Sequence, residues 1–191
     1  MNTVEPIRDI KKIAAIKNML KAKKNPRDFL LFTMGINSAL RISDLLKLQI
    51  GDVLDKRGDI REHLYLRVKK TGKELTPKIN KSMREALEFY FSKLGPIDYD
   101  APLFQSTRSE QPLDRVRAWT IINQWCEAVG LDSGRHGTHT LRKTWGFHAR
   151  KMGIDIEIIR EKLGQRNTGV TRRYIGLTQE EVNDVEEKVC L

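Results

Sequence analysis

Between Gly51 and Ile79 the apolar residues change period. Leu64, Leu66 and Val68 alternate with Tyr65, Arg67 and Lys69, so side chains go to opposite faces and a half-buried strand is predicted. On either side of this segment the apolar residues recur at three and four, the period of a helix with one buried face. A chain patterned in this way can place only a small sheet on a mainly helical body. The expected class is α+β, mainly α-helical, with one small antiparallel sheet. Asp52 to Leu54 is read as one strand and Glu74 to Ile79 as another, with KRGD and TGK as the turns between them. Pro77 lacks a backbone donor, so the last strand is short or lies at an edge.

The helices carry their own start signals. Asp9 can cap a first helix with Ile10, Ile13, Ile16 and Leu20 on one side. Asn25 and Pro26 open a second, DFLLFTMG, which is apolar nearly all round and therefore buried, with Gly35 as its stop. Ile42, Leu45, Leu46 and Leu48 form the buried set of a short third helix. Asn80 caps a helix with Met83, Leu87, Tyr90, Phe91 and Leu94 inward and Gly95 at its end. PIDYDAPLF is read as a loop, and residues 105–113 as a polar turn segment. Asp114 caps a helix whose apolar face is Trp119, Ile122, Trp125, Cys126 and Val129; helical spacing makes these tryptophans core rather than a base-stacking platform. Asp155 caps DIEIIREKLG, with Ile156, Ile159 and Leu163 buried. Thr178 and Glu181 make a capping box ahead of a tail helix whose stripe, Val182, Val185 and Val189, needs a partner surface.

A chain of 191 residues fits one domain. Its net charge of +10 points to a polyanionic partner, against the plainer reading of a merely soluble basic protein. Two cysteines, Cys126 and Cys190, do not make a disulfide framework. The opening MNTVEPIRDIKK lacks the apolar run of a signal peptide, and no run reaches membrane-spanning length. The expectation is a soluble cytoplasmic protein with no membrane partner.

The candidate chemistry lies mainly in RHGTHTLRKTWGFHARKMGIDIEIIREKLGQRNTGVTRRYIG, residues 135–176. His139 and Arg142 share a helix face. Tyr174 follows Arg172 and Arg173, and a phenolate beside cations can attack a phosphorus centre; the plain alternative is a half-buried packing tyrosine. Arg41 follows an apolar segment that can fix its guanidinium fork for a phosphate. It can equally pair with Asp44, and the two roles are compatible if Asp44 orients it. Lys70, in KKTGK, is either a solvated hairpin tip or an ammonium delivered into a groove, and Lys69 and Lys73 flank it.

Arg41 in ALRISDLLKL, Lys70 in KKTG, His139 and Arg142 in HTLR, and Tyr174 in LGQRNTGVTRRYIG, in that order, resemble the tyrosine recombinases: phage and transposon integrases and the Xer-type resolvases. The resemblance runs from about Asp9 to the end. It implies the DNA breaking-rejoining catalytic-domain fold and strand exchange through a covalent 3′-phosphotyrosyl intermediate. Arg41 and Arg142 would clamp the phosphate, His139 would bond it or move the tyrosine proton, and Lys70 would protonate the leaving 5′-hydroxyl. Lys69, Lys73, Arg172 and Arg173 are read as further DNA contacts. No Walker or Rossmann glycine pattern and no ligand-spaced His/Cys/carboxylate cluster appears, so neither cofactor nor metal is expected. The partners implied are double-stranded DNA and further copies of the chain, joined by exchange of the tail helix, with no small-molecule substrate; the setting implied is the nucleoid.

Two departures stand out. Gln165 occupies the place where the family usually has His, and an amide cannot carry its charge. Only a few residues precede the first catalytic-domain helix, where integrases normally carry a domain that closes around DNA; residues 1–191 are read as the catalytic domain alone, with residues 176–191 as its tail. A topoisomerase-like relaxing enzyme and a non-catalytic DNA-binding module that keeps the fold are the alternatives.

Overall fold

The computed structural model describes residues 4–67, 74–132 and 134–176. Lys69, Lys70, Lys73 and the expected tail helix lie outside the described residues. In chain order the elements are α1 (Ile10–Ala22), α2 (Pro26–Ser38), α3 (Ile42–Leu45), β1 (Leu66–Arg67), β2 (Glu74–Leu75), α4 (Lys81–Phe91), α5 (Arg115–Ala128), α6 (Thr140–Lys151), α7 (Ile156–Lys162) and α8 (Thr168–Ile175). The body is mainly helical.

Helix α2 is the centre, buried along most of its length and packed on α1, α4 and α6. Phe29 and Phe32 lie edge-on to Phe89 of α4 and Trp125 of α5. Gly35 is not the stop that its identity suggested. The helix runs to Ser38, and the missing side chain instead lets Leu141 of α6 lie directly on the α2 backbone. The chain turns at Ala39, whose backbone is left-handed at φ 60°. That turn ends α2 and delivers Arg41 to the start of α3.

The extended part is smaller than expected. Strands β1 and β2 pair antiparallel over two residues each, Leu66 with Leu75 and Arg67 with Glu74. The predicted strand at Asp52–Leu54 does not form. Residues Ile50–Asp52 make one 3₁₀ turn, because the Asp52 carboxylate accepts from the Gln49 amide at 2.8 Å and closes the chain on itself. The segment read as a plain loop around Pro102 runs along this turn, with Leu103 N–H donating to the Leu48 carbonyl at 2.8 Å, and Leu103 and Phe104 are fully buried. Helix α4 ends at Phe91, short of Gly95. Two expected core residues face outward: Ile10 is 68% exposed on the first turn of α1 and Trp119 is 50% exposed on α5.

Helices α6, α7 and α8 enclose a second, smaller apolar cluster of Ala39, Ala149, Ile159, Leu163 and Ile175, against which Trp145 and Tyr174 pack. At its centre Gly146 of α6 meets Ile175 of α8 so closely that a Cβ there would lie 2.6 Å from Ile175 Cγ2. The segment ahead of α1 crosses α6. Ile7 N–H donates to Thr144 Oγ1 at 2.8 Å, Thr140 Oγ1 donates to the Glu5 carbonyl at 2.9 Å, and the His148 ring meets the Ile7 carbonyl at 3.0 Å. Arg8 reaches the Gly176 carbonyl just past α8.

Candidate active site

His139 is the N-cap residue of α6, so Arg142 and Lys143 leave from that helix's first turn. Asn167 caps α8 through Val170 N–H at 2.9 Å and sets the turn that carries Tyr174 towards α6. The Tyr174 hydroxyl stands 3.3 Å from His139 Nδ1, with the two rings edge to face. Arg142 is buried and donates to the Leu163 carbonyl at the end of α7, which pins its guanidinium between the two helices. Arg41, an exposed side chain, arrives from the turn after α2.

Arg41, Asp44 and Arg142 share a cleft of about 440 Å³, whose rim also includes Thr76 and Pro77 beyond β2 and Glu161 and Lys162 of α7. Thr76 and Pro77, which follow β2, bring that strand beside the cleft, while Lys70 lies outside the described residues. Gln165 follows α7, and its Oε1 is buried with no hydrogen-bond partner among the described residues. Arg172 and Arg173 are exposed on α8. Among the described residues no group of three or more His, Cys, Asp or Glu side chains could hold a metal ion.

The charges act on one another. Burial raises the Tyr174 phenol above its ordinary value of 10, and the guanidiniums of Arg142 and Arg41 pull it back down. The phenol is therefore less acidic in the DNA-free chain than its cationic neighbours alone would make it. Burial is also the largest reason that the His139 pKa falls below 6.5, followed by the charges of Arg115, Arg142, Lys143 and Arg41. A His139 that is neutral near pH 7 can accept the Tyr174 proton at Nδ1, provided its own proton sits on Nε2. The site thus brings a phenol, an imidazole and two guanidiniums together from the turn after α2, the start of α6 and the end of α8.

Three cations were missed in the sequence: Lys143, Lys162 and Arg115. Lys143 had a usable signal, since it stands one helical turn from His139 and so on its face. Lys162 and Arg115 had none, because their place depends on how helices pack.

The phage integrase family model matches residues 8–181. The chain belongs to the phage integrase family. It is 38% identical over 180 residues to the probable integrase/recombinase YoeC of Bacillus subtilis, covering 94% of this chain and 93% of that protein. It is 28% identical to the tyrosine recombinase XerA of Pyrococcus horikoshii, over 92% of this chain but 59% of that one. In fold this member of the phage integrase family is similar to a crystal structure of XerA recombinase, at TM-score 0.75 and 18% identity, covering 97% of this chain and 64% of that one. It is also similar to XerH site-specific recombinase bound to palindromic difH substrate, at TM-score 0.74 and 18% identity, covering 96% of this chain and 52% of that one. The chain carries a tyrosine-recombinase catalytic domain.

Proposed function

We propose that the chain cleaves and rejoins double-stranded DNA at specific sites through Tyr174. What carries this reading is the placing of the Tyr174 hydroxyl 3.3 Å from His139 Nδ1, with Arg142 and Arg41 near enough to shift its ionisation. The phenolic oxygen attacks a backbone phosphorus and forms a 3′-phosphotyrosyl bond as the bond to the 5′-oxygen breaks. The phenol proton passes to His139. The negative charge that grows on the non-bridging oxygens is held by the two guanidiniums, of which Arg142 is kept in place by burial and by the Leu163 carbonyl before the reaction starts. The leaving 5′-oxygen needs a proton, and Lys70 is the proposed donor, the role the resemblance to the family implies for the lysine ahead of Thr71 and Gly72. The reverse attack by a 5′-hydroxyl restores the phosphodiester and frees Tyr174.

Asp44 shares the cleft with Arg41 and is proposed to orient it. Lys69, Lys73, Arg172 and Arg173 are proposed to hold the flanking backbone, consistent with a net charge of +10. Residues 1–191 are proposed to act as one catalytic domain at the nucleoid, and partner copies to assemble on DNA through residues 176–191.

The test is a nicked suicide duplex carrying a library of flanking sequences, in which the cleaved end diffuses away. An adduct that survives denaturing electrophoresis is expected, formed in chelator and without ATP. Tyr174→Phe should abolish it and leave DNA binding intact. Cleavage by Tyr174→Phe would sink the proposal.

A further inference from the structure

Lys143 has no task in the chemistry above, yet it sits against the nucleophile. Its Nζ lies 5.1 Å from the centroid of the Tyr174 ring, over the face. His139, one turn earlier on α6, meets the same ring at its edge, 6.4 Å between centroids and 86° between planes. The ring is thus bracketed by two side chains from one helix. Lys143 is only 6% exposed, and a buried ammonium needs compensation. A desolvated cation on an aromatic face gains more than an exposed one.

We propose that Lys143 is a positioning residue for the nucleophile: its ammonium on the Tyr174 ring fixes the ring against α6 and favours the phenolate over the phenol. Ionisation puts negative charge on the oxygen and into the ring, so the contact strengthens when the proton leaves. Hydrogen bonds to the oxygen act at the reacting atom and must change during attack. A cation on the face can stay in place throughout.

The other charges around the ring are accounted for. His139 and Arg142 face it from α6 and Arg41 from the start of α3. On α7, Arg160 is drawn to Glu157 at 2.6 Å, while Glu161 and Lys162 share the cleft with Arg142. Glu5, ahead of α1, is the acidic group whose field reaches Lys143. Burial lowers the Lys143 pKa and raises that of Tyr174, so burial disfavours the charged form of each.

The inference concerns the proposed nucleophile and so rests on that function, but its test is separate. The full chain is prepared with 3,5-difluorotyrosine at position 174, which brings the phenol into a range where the protein stays folded. Its ¹⁹F signal is then titrated without DNA. Lys143→Met keeps the length and removes the charge; Lys143→Arg keeps the cation. The Met variant should raise the midpoint by about half a pH unit or more, roughly threefold in the ionisation constant. The Arg variant should recover most of that shift. An unmoved midpoint in a folded Met variant overturns the role. Should the Met variant fail to fold, Lys143→Gln takes its place, read in the same way. Adduct formation on the suicide duplex separates the two claims. A shifted midpoint with no adduct even from the wild-type chain keeps the contact and sinks the recombinase chemistry. A wild-type adduct with an unmoved midpoint does the reverse.

Discussion

Gly146 and Ile175 touch so closely that a Cβ on Gly146 would lie 2.6 Å from Ile175 Cγ2. Ile175 is the next residue after Tyr174, so this contact sets how far the proposed nucleophile stands from α6. Gly146→Ala should push α8 outward. Overpacking of this kind costs about 1–3 kcal/mol, so the melting temperature should drop by several degrees. Adduct formation should fall by more than the lost stability explains, because the phenol leaves His139. Adding Ile175→Ala should recover stability and part of the activity; no recovery would mean that the strain lies elsewhere.

Ala39 ends α2 at φ 60°, a conformation that costs a residue with a Cβ about 1 kcal/mol. Ala39→Gly removes that cost and frees the turn that aims Arg41. Calorimetry should find stability unchanged or raised, while single-turnover cleavage slows. Equal cleavage by the two proteins would show that the turn does not hold Arg41.

His139 has its folded-state pKa depressed below 6.5, chiefly by burial. The unfolded chain therefore binds the proton more readily as pH falls. The sign follows: this residue's share of stability is complete above about pH 6.5 and is lost as pH drops towards the folded value. Denaturant melts of wild type and His139→Gln across pH 5–8 should show a steeper acid loss for wild type. Parallel curves would refute the shift.

Gln165 Oε1 is buried without a partner among the described residues. Gln165→His should leave the fold intact and speed cleavage, by at most about 3 kcal/mol of barrier, the scale of one transition-state donor. Unchanged single-turnover rates would place residue 165 away from the phosphate.

Much of this was written locally. Asp9, Asn80, Asp114 and Asp155 were each expected to cap a helix, and each side chain accepts from the first turn of one. Capping is a short-range contest, so sequence can report it. Ile42, Leu45, Leu46 and Leu48 are all buried, as their spacing implied. Trp119 and Ile10 were misjudged because periodicity marks a face but not where the neighbouring helix stops. Gly35 was misread as a stop, since the sequence does not distinguish a glycine that breaks a helix from one that lets another helix in. His139, Arg142 and Tyr174 were legible as residues. That Leu163 holds Arg142 by its carbonyl was not, because a backbone partner leaves no mark on side-chain identity.

Residues 4–8 bind α6 at Thr140, Thr144 and His148 and reach the end of α8 at Gly176. Mechanically this is a tie rod across the helices at which His139 and Tyr174, the proposed base and nucleophile, stand. A force applied at Val4 passes along these hydrogen bonds into α6 and α8. It arrives as torque on the catalytic geometry itself.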